Sequence, residues 1–298
     1  MTFPLSDVGT IYATWTDPTG VEWPLTDKTP DRGYHTTRGI AGWGAMPYEI
    51  VTDPQARGGE TVRHVRQLPA RLTWPLNIWG DTHLEFVDRY RALRRAIMMT
   101  VHRGQPGRLT VMRSDGSGRF IEAFYEDGWG GESGENWLFA NPVVTFYCPD
   151  GAWKDIERVV ETRTFGTAGT LVSFLAPFPT FSAGQSGGSP TLTNPGELVA
   201  WPEWVITGPA SGITGTNVTT GKSFSLVYDL AAGESITVTT DRPTVRGPAG
   251  QNLVNALNWP TAYLWGLEPG DNTVEFSIGG SGIGTTIEIS FYPRYEGA

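Results

Sequence analysis

The sequence predicts a mainly β protein in two parts: an α+β N-terminal domain with one main helix over residues 1–160, and an antiparallel β-sandwich over 161–298. Three observations predict it. The 298 residues include 38 Gly and 22 Pro but only 18% charged residues, a turn-rich, aromatic profile that favours many short strands. Apolar residues recur at helical spacing in one long segment, 81–99. Beyond about residue 200, alternating apolar and polar runs follow one another roughly ten residues apart, the cadence of a sandwich.

Strands near 10–15, 48–52, 61–65 and 70–79 come first, separated by turn signals such as DPTG (17–20) and RGGE (57–60). Between them, TDKTPDRGYHTTRGIAGWGAMPY (26–48) has weak periodicity and three spaced aromatics, Tyr34, Trp43 and Tyr48. A loop that long inside a domain usually has a task. The expectation is an arm or belt laid on an adjacent subunit, with those aromatics as inter-subunit contacts.

The helix, DTHLEFVDRYRALRRAIMM (81–99), has Asp81 as candidate N-cap and a stripe of Phe86, Tyr90, Leu93 and Ile97, widened by Val87 and Leu84. Arg89, Arg91, Arg94 and Arg95 lie toward its C-terminal half, where cations suit the helix dipole. This basic face is either solvated or meets an acidic surface of a neighbouring subunit, where the arginine fork suits carboxylates. On the second reading Arg91, Arg94 and Arg95 are candidate contacts.

Strands at 108–113, 119–125 and 137–148 follow, with RGQPG (103–107) and SDGSG (114–118) as turns. The last of them runs into VVTFYCPDGAWKD (143–155), which contains the only cysteine. Alternation places Val144, Phe146 and Cys148 on one face, and Pro149-Asp150-Gly151 stops the strand. Cys148 is therefore expected to be a small buried hydrophobe, because a reactive thiolate wants a cationic, partly exposed setting and the nearest cation, Lys154, lies past a turn.

IERVVETRTF (156–165) reads as a polar strand or a short helix. After the Gly/Ser-rich AGQSGGSP (183–190) come strands at WVITG (204–208), SFSLVYDL (223–230), ESITVTT (234–240), TVEFSIGG (273–280) and TTIEISFYPRY (285–295). Turns fall at TTGK (219–222), LAAGE (230–234) and LEPGDN (267–272), and QNLVNALNWP (251–260) makes at most one irregular turn before Pro260.

Charge excludes one class of partner. The first 160 residues hold 17 basic and 20 acidic side chains and the rest 5 and 11, so −3 and −6 make up the net −9. Neither part has the basic excess that phosphates require, and nucleic acid is not an expected partner. A single cysteine leaves no internal disulfide. The opening MTFPLSDVGT lacks a basic-then-apolar leader, and no apolar run reaches membrane-spanning length, so neither a signal peptide nor a membrane partner is expected.

Catalytic templates fail in turn. Gly184-Gln185-Ser186-Gly187-Gly188 spells a nucleophile elbow, but all four histidines (His35, His64, His83, His102) precede Ser186. No histidine pair has helical metal-ligand spacing and no phosphate-cradling glycine loop appears. Glu122, Glu126 and Asp127 near Trp129, and Glu197 and Glu203 near Trp201 and Trp204, have glycosidase residue types without the fixed separation that chemistry needs. No catalytic, cofactor-binding or metal residue is expected. Trp201 and Trp204, flanking Pro202, are a candidate contact for a glycan or a protein. Asn217-Val218-Thr219 is a glycosylation sequon by spelling.

The order of these motifs resembles the distal tail proteins of siphophages, in the form found in phages of actinobacteria. The resemblance rests on Cys148, Pro149, Asp150 and Trp153 after an aromatic strand. It continues through NPG-x-x-x-x-x-P (194–202), VITGPASG (205–212), NVTTGKSFSL (217–226), LAAGESITVTT (230–240), LEPGDNTVEF (267–276) and SFYPRY (290–295). It implies that the second domain is a galectin-like sandwich. It further implies a non-enzymatic structural virion protein at the distal end of the tail, made in the host cytoplasm, whose N-terminal domains form a hexameric ring. That ring would join the tail tube protein to the tail-tip hub protein of the baseplate and support receptor-binding or other minor tail proteins in host attachment. The alternative is a carbohydrate-binding adhesion module of a tail tip or cell-surface protein, taking a host surface glycan.

Overall fold

The structure, a computed structural model, describes residues 12–26, 30–130, 137–165 and 191–298. It divides into two compact units. Residues up to Ile156, together with Tyr295–Ala298, make the first, and Glu157–Arg294 make the second. The last four residues thus return to the first unit, where a boundary drawn along the sequence leaves them in the second. Arg119 lies over the Tyr295 ring at 3.6 Å, and the Ala298 N–H donates to the Trp43 carbonyl at 3.1 Å.

In the first unit the strands are β1 (Tyr12–Thr16), β2 (Glu22–Pro24), β3 (Tyr34–Thr36), β4 (Tyr48–Pro54), β5 (Glu60–Gln67) and β6 (Ala70–Trp79). After the helix α1 (His83–Arg103) come β7 (Gly107–Met112), β8 (Gly118–Gly128), β9 (Phe139–Ala140), β10 (Val143–Cys148) and β11 (Trp153–Asp155). The main sheet runs β2-β1-β7-β8-β10-β6-β3, with β9 on β6 and β11 on β8. Alternation is obeyed where it was read: Val144, Phe146 and Cys148 are fully buried, and Phe146 stacks on Trp15 at 4.8 Å. The segment expected as one strand over 137–148 is two, because Asn141 and Pro142 interrupt the ladder.

Cys148 sits in the middle of this core, and burial, with a smaller push from Glu126, drives its thiol up to about 12. At pH 8 only about one molecule in ten thousand then carries the thiolate. Folded protein mixed with a chromogenic disulfide reagent at that pH is expected to show no thiol until denaturant is added. Stoichiometric labelling of the native protein would contradict the burial.

Helix α1 differs from the sequence reading at both ends. Its N-cap is Thr82, not Asp81: the Thr82 hydroxyl accepts from the Glu85 N–H at 3.3 Å, and the Glu85 carboxylate accepts from the Asp81 N–H at 2.9 Å. This is a capping-box arrangement. The helix runs on to Arg103 and stops at Gly104 in the left-handed region. Phe86, Leu93 and Ile97 are buried as expected, but Leu84, in the first turn, is exposed and belongs to no stripe.

Over its described residues, 26 and 30–48, the segment 26–48 is not a free arm. Tyr34 lies in β3, antiparallel to β6, and is buried in the unit's own core. Ala41 bridges Thr73, Trp43 meets Trp74 edge-on at 6.0 Å, and Met46 is buried. Weak periodicity here reflects a chain that follows the edge of β6 with only a short ladder, Thr37 and Ala41 bonding to Pro75 and Thr73 beyond β3. Removing 30–44 would strip core, not an arm.

The second unit comprises β12 (Val159–Phe165), β13 (Thr191–Asn194), β14 (Glu203–Thr207), β15 (Ala210–Asn217), β16 (Lys222–Leu230), β17 (Ser235–Thr239), β18 (Thr244–Arg246), β19 (Gly270–Gly279) and β20 (Thr285–Phe291). They form two antiparallel sheets, β12-β20-β14-β17-β18 and β13-β19-β15-β16. Both sheets line one core, centred on Trp204, which stacks on Phe224 at 4.8 Å and packs on Trp265 at 4.7 Å. Segment 156–165 resolves to a strand. Its Arg163 is buried and donates to the Val274 carbonyl of the opposite sheet at 2.7 Å.

Three buried asparagines explain the NPG and EPGDN motifs physically. Asn194 donates to the Leu198 and Leu267 carbonyls and accepts from Gly196 N–H. Asn272 donates to the Glu268 and Gly270 carbonyls and accepts from Glu268 N–H. Asn217 donates to the Gly266 carbonyl and is fully buried, so its sequon spelling is structural. Each amide supplies partners that turning backbone would otherwise lack.

Candidate functional site

β4 and β5 stand apart from both cores as a two-stranded sheet of their own. Cross-strand partners share a face, so register assigns the faces. Tyr48↔Gln67, Ile50↔Val65 and Thr52↔Val62 lie on one side; Glu49↔Arg66, Val51↔His64 and Asp53↔Thr61 lie on the other. The register shifts between Val51 and Thr52, with Arg63 as the extra residue. That bulge matters, because strict alternation would send Val62 and Val65 to opposite faces. With it, Tyr48, Ile50, Val62 and Val65 converge on one apolar face, 41%, 60%, 56% and 50% exposed. The other face is mostly polar, with Val51 its one large apolar side chain: Arg66 pairs with Glu49, and Arg63 with Asp53 at 2.6 Å.

Tyr48 is therefore the one member of the aromatic trio that lies on an exposed surface, and its hydroxyl donates to the Glu296 carboxylate at 3.2 Å. Tyr34 is enclosed and Trp43 half-enclosed by their own unit. The sequence missed the hairpin as a site because its two strands read as ordinary sheet members. The available signal was that neither shows the alternation of a half-buried strand: apolar Ile50 and Val51 are adjacent, and Val62 and Val65 are three apart.

The arginines of α1 separate by position. Arg89 is spent internally, donating to the Trp79 and Asp31 carbonyls and pairing with Glu85. Arg91 and Arg94 line a cavity in the first unit, and Arg95 lies exposed outside it. The two tryptophans also separate. Trp204 is core, with no exposed surface to offer a glycan. Trp201 is half-buried at the rim of a cleft of about 270 Å³ with Arg158 and Tyr292.

Three of the five carboxylates named near tryptophans are held in ion pairs. Glu126 forms a two-pronged pair with Arg71, Glu122 meets Lys154 at 3.2 Å, and Glu203 meets Arg158 at 3.0 Å. Among the described residues no three His, Cys, Asp or Glu side chains cluster as a metal site. The GQSGG stretch at 184–188 lies outside the described residues.

Residues 195–295 match the family described as siphovirus-type tail component, C-terminal domain. That span is the one whose succession of turn motifs carried the resemblance. Comparison with curated proteins finds no match. Among solved structures, the chain is similar to the SPP1 Dit (gp 19.1) protein, described as a paradigm of hub adsorption apparatus in phages infecting Gram-positive bacteria. The TM-score is 0.66 at 15% identity, over 96% of this chain and 99% of that one. It is also similar to chains of the phage P2 baseplate in its activated conformation. With Ca the TM-score is 0.56 at 13% identity, covering 97% and 100% of the two chains; with Sr it is 0.55 at 14%, covering 95% and 98%. The chain is similar in fold to the Dit protein, and the family match lies over residues 195–295.

Proposed function

We propose that this chain is a structural component of a siphovirus tail, a distal tail protein at the baseplate hub. Six copies close into a ring through their first units and join the tail tube to the tail-tip hub protein. Other tail proteins that engage the host dock on this ring, and the protein resides at the distal end of the virion tail. The similarity to hub and baseplate proteins supports a structural role over a catalytic one.

The observation that carries the reading is the hairpin β4–β5. A lone two-stranded sheet is marginally stable in water, and this one leaves four large apolar side chains uncovered on one face. Its outer edges are also unpaired among the described residues, a hazard that soluble monomers avoid. Laid on a neighbouring copy, the apolar face is covered. The donor (hairpin) and acceptor (another surface of the same unit) are different patches, so the contact is head-to-tail. Such a contact closes into a ring when its rotation divides the circle.

Light scattering on the purified chain is expected to give about 195 kDa, six times the 32.5 kDa subunit. A mass of one subunit at every concentration would sink the proposal. Electron microscopy of the virion with a subunit-specific label is expected to place it at the tail's far end.

A further inference from the structure

The cavity beside α1 has an uncommon construction. Its lining includes Phe86, Tyr90, Trp129 and Trp137 together with Arg91 and Arg94, around a volume of about 340 Å³. Among the described residues the only non-glycine positions in the left-handed backbone region are Trp129 (φ 65°) and Trp137 (φ 55°), and both line it. A bulky residue there is a genuine outlier, and such positions concentrate at ligand clamps. Each tryptophan is held: Tyr90 donates to the Trp129 carbonyl at 3.0 Å and meets its ring edge-on at 5.5 Å, and His83 contacts the Trp137 carbonyl at 3.0 Å.

The polar chemistry is one-sided. The Trp129 indole N–H is buried and has no partner among the described residues. Arg91 and Arg94, one turn apart on the same helix face, are exposed and make no ion pair or hydrogen bond among the described residues. The Tyr90 proton is already committed to Trp129. No Asp, Glu, Asn, Gln, Ser or Thr side chain is among the described residues that line the cavity. Guanidinium groups only donate, so the described lining offers charge-assisted donors and apolar walls and no side-chain carboxylate or amide acceptor.

We infer that this cavity is a docking site for an acidic, apolar-flanked segment of a partner protein, with one Asp or Glu carboxylate between Arg91 and Arg94 and an adjoining apolar or aromatic side chain against Trp129 and Trp137. Charge complementarity selects this occupant. The carboxylate gains two charged donors, and the volume suits one or two side chains. A nucleic acid is excluded by the net charge of −9, which repels an extended polyanion. The cavity is separate from the hairpin, so the inference goes beyond ring formation and does not depend on it.

The test uses the full chain, labelled with nitrogen-15, and capped peptides of sequence FEEF, FQQF and FKKF. The Trp129 indole signal, assigned with Trp129→Phe, is expected to shift saturably with FEEF. Binding of FQQF should be weaker by about tenfold, and FKKF should not bind, since a charge-assisted pair is replaced by a neutral or a repulsive one. The double variant Arg91→Gln/Arg94→Gln, which alters only exposed side chains, is expected to lose FEEF by about tenfold or more with an unchanged melting temperature. Equal binding of FEEF and FQQF, unchanged binding by the double variant, or no shift up to about 1 mM peptide would each overturn the inference. Light scattering on the same double variant reads ring assembly separately, so failure here is distinguishable from failure of the ring.

Discussion

The double variant Ile50→Lys/Val65→Glu is expected to turn the 195 kDa assembly into single 32.5 kDa chains that remain folded by circular dichroism. The two residues face each other across β4 and β5, so the new charges are opposite in sign and favour the hairpin itself. Each side chain is at least half exposed in the isolated chain, and substitutions at such places usually change monomer stability by about 0.5 kcal/mol or less. In a covered interface the balance reverses. Two apolar groups worth about 1.5–3 kcal/mol each on full burial are lost, and two charges must be desolvated. The dissociation constant of each contact should rise by at least about a hundredfold, and a closed ring repeats that loss at every contact. Glu49→Gln/Arg66→Gln, on the polar face, is the control and should assemble normally, because an exposed pair is worth roughly 0–1 kcal/mol. Should Ile50→Lys/Val65→Glu keep its full mass, the hairpin does not hold the assembly.

Trp204→Ala is expected to cost about 3–5 kcal/mol, enough to unfold the second unit well below the melting temperature of the unchanged protein. Its indole is wholly enclosed between Phe224 and Trp265, so truncation opens a large cavity at the centre of the sandwich. Trp204→Phe should be far milder, since the buried Trp204 N–H has no partner among the described residues and its removal forfeits no hydrogen bond there. Trp201→Ala, at a half-buried rim position, should cost about 1 kcal/mol. Calorimetry on the three variants reads all of this. A Trp204→Ala protein that melts like its parent would show that the residue is not core.

Much of the architecture was legible because local pattern and burial agree. The inward face and the end of β10 were readable, though not its start: Val144, Phe146 and Cys148 alternate, Pro149 stops the ladder, and all three face the core. The cap of α1 was legible too, had Thr82-x-x-Glu85 been preferred to Asp81. β15 was not. Its sequence, ASGITGTN, is a turn composition by every local rule. It is a central strand because a Cβ at Gly215 would lie 2.5 Å from the Phe224 ring and 2.9 Å from Phe276, so only glycine lets those rings close over it.

Composition, periodicity and stop signals sufficed for the mainly β fold, the one long helix among the described residues and the buried thiol, since each depends on neighbours within a few residues along the chain. Which tryptophan is core, which arginine is free, and which face of the hairpin is apolar depend instead on contacts between residues far apart in sequence. Trp201 and Trp204 share a sequence setting, yet one meets Phe224 and Trp265 and the other a rim. Arg89 and Arg91 are two positions apart, yet helical geometry turns one toward the Trp79 carbonyl and the other toward an open cavity. One inserted residue, Arg63, decides the hairpin's apolar face, because side chains alternate with a period of two and a single-residue slip inverts everything beyond it.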